Sequence, residues 1–418
     1  MLDALHELFH LIARWVHLIA GIMWIGNSML FNWLDRNLER TAATKPGVVG
    51  NMWMVHSGGF YEVEKKALEP SQLPQTLHWF KWQNGITWLS GISLLILVFW
   101  MAAASTMVDP DVAALTGRQA ILISAASLPL AYLAYDLVWR TRIGKHPGLA
   151  TFLTLAVVVA GAVVYFLSFS GRAAYVHVGV LIGTLMTGNV WFVILPSQRE
   201  LIAATKEGRE QDPAIGYQAK SRSIHNNYFT FPLLFIMLSG HFPSTFGHPY
   251  GWVVLTILAL GSAGIRHLMN VRFANPLWLF PAVSLFLLTA MATFMMLANP
   301  DIFNGSTLPA RTTPVPFGEV ADIIHKRCTT CHSAQPSDAV YRSPPGGVMF
   351  DTPAQILGRA ADIKQRAYSS KNMPLANITN ITPDERAALG AWVDQGAPGP
   401  EPTPTIGKEP QTEVNHGH

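Results

Sequence analysis

The sequence predicts an all-α chain in two parts: a polytopic membrane helix bundle of about eight transmembrane helices, followed by a small, polar all-α domain. Three observations predict this. Half of the residues are hydrophobic and only 13% are charged, about half the charged share of a soluble domain. Eight apolar runs of roughly 17–22 residues, the length needed to cross a hydrocarbon core of about 30 Å, fill the chain as far as Pro300. Beyond it the composition turns polar and rich in Pro, Gly and Thr. The net charge of +3 without a basic cluster leaves out the electrostatic footprint of a nucleic-acid-binding protein.

The runs lie at about 9–29, 85–105, 119–138, 150–170, 175–195, 226–242, 251–268 and 277–298. The first follows "MLDALHEL", which has no Lys or Arg, and ends without a small-residue cleavage site. It therefore reads as a retained helix and not as a signal peptide. The sixth, "NNYFTFPLLFIMLSGHF", is short and contains Pro232. The loops 31–84, 139–149, 196–225 and 266–272 hold sixteen Lys and Arg, whereas the alternate loops hold only Arg118 and Arg172. By the positive-inside rule the basic loops are cytoplasmic and both termini lie outside.

Four segments follow: a membrane domain at 1–299, a linker rich in Pro, Gly and Thr at 300–317, a small domain at 318–398 and a disordered tail at 399–418. In "TPDERAALGAWVDQG", Thr382 can cap a helix with Pro383 in its first position and Glu385 three residues on.

The only two cysteines, Cys328 and Cys331, stand in "KRCTTCHS" with His332 directly after them. A disulfide at this spacing would be strained, and a zinc site needs two further ligands. C-x-x-C-H is the attachment signature of c-type haem: the thiols add to the vinyl groups and the histidine supplies the proximal nitrogen. Met373 in "KNMPLAN" is the expected sixth ligand, with Met349 in "GGVMFD" as its competitor. Methionine opposite histidine raises the reduction potential. The small domain thus reads as a c-type cytochrome, and haem c is attached on the outer side of a bacterial inner membrane, where the charge count independently puts the C-terminus.

In the first span His6, His10 and His17 fall within about 40° of one another on a helical wheel, with Arg14 about 80° from His6. Ionisable groups inside a span mark cofactor, ion or substrate sites. His17, His10 and the outer-side His177 are candidate ligands of a b-type haem, with Arg14 near a propionate. The same residues also fit interfacial positions and hydrogen bonds inside the bundle. Polar groups able to read a heterocycle gather at the inner span ends, among them Asn226, Asn227 and Arg266. Most such residues are interfacial anchors. No acid pair, nucleophile elbow, Walker loop or dinucleotide fingerprint appears, so no catalytic residue is assigned.

The segment "FHLIARWVHLIAGIMWIGNSMLFNWLDRNL", the eight runs, and the C-terminal motifs "CTTCHSAQPSD", "PPGGVMFDTPAQI" and "NMPLANITNITPDERAALGAWVDQGAP" together resemble the PuuD family of bacterial membrane-bound cytochrome c urate oxidases (urate hydroxylases). The resemblance runs to about residue 398 and implies oxidation of urate to 5-hydroxyisourate. It also implies that electrons pass through haem c to a respiratory acceptor, a terminal oxidase or a soluble cytochrome, without direct formation of peroxide. Cys328, Cys331, His332 and Met373 carry over onto the haem c site. W-x-H followed by G-x-x-W-x-G in the first span is also similar to small membrane proteins that bind b haem. The competing readings are an electron-transfer subunit passing electrons from quinol to cytochrome c, and a transporter with a fused cytochrome.

Overall fold

The computed structural model describes residues 2–40, 47–110, 112–299, 311–337, 343–369, 371, 373–374 and 377–400. Most of the expected linker (300–310) and of the expected tail (401–418) lies outside the described residues. The chain divides into two compact units, Met1–Phe303 with Leu375–Ile378, and Asn304–Pro374 with Thr379–His418.

The first unit is built from α1 (Leu2–Asn37), α2 (Trp82–Leu94), α3 (Gly117–Arg140), α4 (Pro147–Ser168), α5 (Gly171–Asn189), α6 (Leu195–Lys206), α7 (Pro213–Leu238), α8 (Gly251–Val271) and α9 (Leu279–Ala298). Local chemistry sets several starts. Thr116 and Gln119 form a reciprocal capping box before α3. Asp212 accepts from the Ala214 amide ahead of Pro213 in the first turn of α7.

Among the described residues seven helices are long and apolar enough to cross a membrane. The sequence reading expects eight runs, and the sixth, 226–242, is the one absent from these seven. The expected sixth run, 226–242, covers the C-terminal half of α7, whose other half carries Lys220, Arg222 and His225. Arg222 is buried and His225 half-buried inside the bundle, whereas Lys220 is exposed, so the helix forms but its composition is mixed. Two spans are prolonged by π-helical segments: Leu95–Trp100 continues α2, and Val190–Ile194 joins α5 to α6.

The expected all-α class is also corrected. Strands β1 (Val48–His56) and β2 (Gly59–Lys66) pair antiparallel, with Trp53 opposite Glu62 and Val55 opposite Phe60. Ser57 and Gly58 at the turn both have left-handed backbone, φ 50° and 77°, as a two-residue hairpin of matching twist requires. The signal is the alternation in "GNMWMVHSGGFYEVEK", which a search for long apolar runs passes over.

Helix α5 is the centre of the bundle and touches α2, α3, α4 and α7, while α1 rests on α2, and α8 bridges α7 and α9. Close approach at α5 depends on small residues. A Cβ at Gly179 would stand 2.6 Å from Ile236, and one at Gly188 would stand 2.1 Å from the Tyr132 ring.

The second unit is organised by α10 (Phe317–Arg327), α11 (Pro353–Leu357) and α12 (Pro383–Asp394). Thr382 and Glu385 form the capping box that opens α12. Val320, Ile323 and Ile324 on α10 meet Leu389 and Trp392 on α12 in one apolar core, which also takes in Val315. The buried Trp392 donates its indole N–H to the Pro398 carbonyl.

Candidate functional site

In the second unit, α10 runs directly into Cys328, and the chain turns there so that the His332 amide donates to the Cys328 carbonyl at 2.9 Å. Neither cysteine is in a disulfide. Burial pushes the Cys328 thiol up to about 12. The His332 ring places Nδ1 3.0 Å from the Val348 carbonyl. A carbonyl only accepts, so Nδ1 carries the hydrogen and Nε2 keeps its lone pair. Burial pulls this imidazole below its ordinary pKa, against the smaller opposing effect of the Val348 bond, which favours the neutral, ligating form. Phe350 meets the ring edge-on at 5.6 Å and returns its amide to the His332 carbonyl.

Met373 is fixed through its backbone. Its amide donates to the Arg366 carbonyl at 3.1 Å, and its carbonyl accepts from the buried Arg386 at 2.7 Å. Two unbridged cysteines, a histidine with a free Nε2 lone pair and a methionine are the donor types that a covalently attached haem takes. Among the described residues no group of three or more His, Cys, Asp and Glu is arranged to hold a separate metal ion.

In the first unit the three expected b-haem histidines differ. His17 directs Nδ1 to the Thr87 carbonyl (2.8 Å) and the Ser90 hydroxyl (3.2 Å), and its ring lies against Gly91 on α2. By the same logic its Nε2 keeps a lone pair. His10 accepts from Arg14 through Nε2 at 2.9 Å, and its ring stacks with His6. His177 is fully buried between Phe99, Tyr165 and Phe169. Its Nδ1 donates to the Ala173 carbonyl (2.7 Å), and its Nε2 accepts from Ser124 (2.8 Å), whose oxygen already receives the Trp100 indole. No lone pair is left on His177 for iron, so only His17 fits that role.

Of the expected substrate residues, Asn227 and Arg266 meet and Asn226 has other partners. Asn227 accepts from both Arg266 (3.0 Å) and Asn270 (2.7 Å), and Arg266 lies over the Phe231 ring. Asn226 bridges the Met186 carbonyl and Asn189. This second contact opens onto residues that carry no sequence expectation: Tyr135 and Asp136 on α3, Asn189 on α5 and Arg222 on α7. Arg222 pairs with Asp136 at 2.7 Å and covers the Tyr135 ring. An acid inside a span was the available signal. Arg222 was hidden because the apolar run starts only at Asn226.

Residues 3–296 match the family model described as "Urate oxidase N-terminal". No curated protein and no solved structure matches the chain.

Proposed function

The chain belongs to the urate oxidase N-terminal family, and on that premise we propose that it oxidises urate to 5-hydroxyisourate and passes the electrons to a covalently bound haem c. Urate and water yield 5-hydroxyisourate, two protons and two electrons. Molecular oxygen is not consumed in that step, and hydrogen peroxide is not its product.

The observation that carries the electron-transfer half is His332, held by Val348 with its Nε2 lone pair free beside two unbridged cysteines. When bound, haem c supplies a one-electron acceptor. Cys328 and Cys331 would anchor it, and His332 and Met373 would supply the nitrogen and sulfur that hold its iron. Substrate is held in the membrane unit, with Asn226, Asn227 and Arg266 in its polar surroundings. Urate gives up two electrons and one haem c takes one, which is the reason to place a second centre, a b haem held by His17, in the same reading.

The chain sits in a bacterial inner membrane with its N-terminus and C-terminal unit on the periplasmic side. That orientation needs an even number of crossings, and α7 supplies the eighth. A terminal oxidase or a soluble cytochrome takes the electrons onward.

The test is turnover by the haem-loaded full chain with oxidised cytochrome c as acceptor. Urate loss matched by cytochrome reduction, without peroxide, is the expected result. Peroxide equal to the urate consumed overturns the electron route. Reduction by quinol but not by urate leaves an electron-transfer subunit instead.

A further inference from the structure

The membrane unit contains a chain of hydrogen bonds in which each partner fixes the next. The Met186 carbonyl only accepts, so Asn226 turns its amide nitrogen to it at 3.0 Å. Asn226 Oδ1 then faces Asn189 at 2.9 Å, and Asn189 answers with its own amide nitrogen. That nitrogen gives its second hydrogen to the Tyr135 hydroxyl at 2.9 Å, and the hydroxyl donates to His225 Nδ1 at 2.7 Å. The orientation of Asn189 is thus set by its neighbours' chemistry. Its Oδ1 is left buried with no protein partner.

Arg222 stands over the same Tyr135 ring, its guanidinium carbon 4.4 Å from the centroid. Nη2 reaches Asp136, while Nη1 is buried with no protein partner. Asn189 is 0% exposed and Arg222 2%. Buried orphan polar atoms are rare because they are costly, and each points to a missing partner. Here one is an acceptor and the other a cationic donor, on two residues that both contact Tyr135. Asp136 also pairs with Arg140, so two guanidinium groups face one carboxylate and positive charge is left over. Asn189 is the last residue before the π-helical Val190–Ile194, a distortion common at functional sites.

We propose that Arg222 Nη1 and Asn189 Oδ1 together recognise one lactam edge of the urate anion. Arg222 donates to a ring carbonyl oxygen that carries part of the negative charge, and Asn189 accepts from the adjacent ring N–H. This deepens the urate reading above and rests on it.

The experiment uses full-length, haem-loaded protein reduced beforehand, so that no acceptor is open to urate electrons, and measures urate binding by equilibrium dialysis without oxygen. Wild-type protein binds. Arg222→Lys keeps the charge beside Asp136 but loses the planar fork, and binds at least about tenfold more weakly, with haem spectrum and thermal midpoint unchanged. Equal binding by Arg222→Lys and wild type overturns the pair while leaving urate as substrate, and ordered water then satisfies both atoms. Wild type that neither binds nor oxidises urate overturns the urate reading itself. A second series needs no variant: the mono-N-methylated urates with wild-type protein. Methylation at the nitrogen whose hydrogen Asn189 accepts lowers affinity at least about tenfold, while another isomer binds as urate does. Equal binding by all isomers overturns the assignment.

Discussion

His332 in the C-terminal unit and His17 in the membrane unit are held alike. Each turns Nδ1 to a backbone carbonyl, Val348 at 3.0 Å and Thr87 at 2.8 Å, and each keeps the Nε2 lone pair. Their surroundings differ. His332 has Cys331 next to it and Cys328 four residues before it, the fixed spacing along one segment that the proposed covalent attachment would demand. His17 meets Thr87 and Ser90 from another helix, 70 and 73 residues away. A covalent cofactor site is written contiguously, whereas a site inside a helical bundle is assembled from ordinary residues on separate helices.

The strongest way to break this comparison is to remove one histidine at a time. His332→Ala is expected to abolish stable covalent haem c, followed by haem-stained gels and the reduced absorption bands, while His17→Ala leaves it in place. Loss of covalent haem in both variants would show that the two histidines do not act separately.

Next in size is the ion pair in the membrane unit. Asp136→Ala leaves Arg222 buried without its carboxylate, a change expected to cost about 3–5 kcal/mol, read from thermal unfolding in detergent. An unchanged midpoint would mean that Arg222 is compensated by another group. Gly188→Ala sharpens the packing side of the argument. Its Cβ would meet the Tyr132 ring at 2.1 Å, and overpacking of this kind costs about 1–3 kcal/mol.

The smaller effects lie in the C-terminal unit. Thr382→Ala removes the side-chain cap of α12, with an expected loss of about 1 kcal/mol in a denaturant titration. Glu385 gives a pH effect. Burial raises its carboxyl, but the Arg327 side chain and the Thr382 amide outweigh that and hold it below the ordinary value. A depressed carboxyl contributes stability above its unfolded pKa and loses it as the pH falls through the folded value. The half-buried, still solvent-screened setting keeps this to about 1 kcal/mol. Arg327→Gln is expected to flatten the acid side of the stability curve, and a curve unchanged by that variant would remove the pair from the account.

The same contrast explains what could be read from the residues alone. Long apolar runs require lipid or a core, so α1 to α5, α8 and α9 were legible, as was the capped start of α12 at Thr382. The hairpin at Val48–Lys66 was not, because its alternation is short and polar on one side. Helix α7 was only half legible: its apolar end, from Asn226, reads as a span, and its polar end, with Arg222 and His225, reads as a loop until neighbouring helices are seen to cover it. Asn189 lies 37 residues from Asn226 and 54 from Tyr135 along the chain. Each is unremarkable alone, and only the fold shows that their hydrogen bonds depend on one another.

The most direct test of the central claim is to mix oxidised, haem-loaded full-length protein with urate in the absence of oxygen and follow the haem absorption bands. The account predicts reduction of the c band by urate, with a b band appearing before it. Bands that stay oxidised with urate but are reduced by quinol would contradict it, and would make the chain an electron-transfer subunit without urate chemistry of its own.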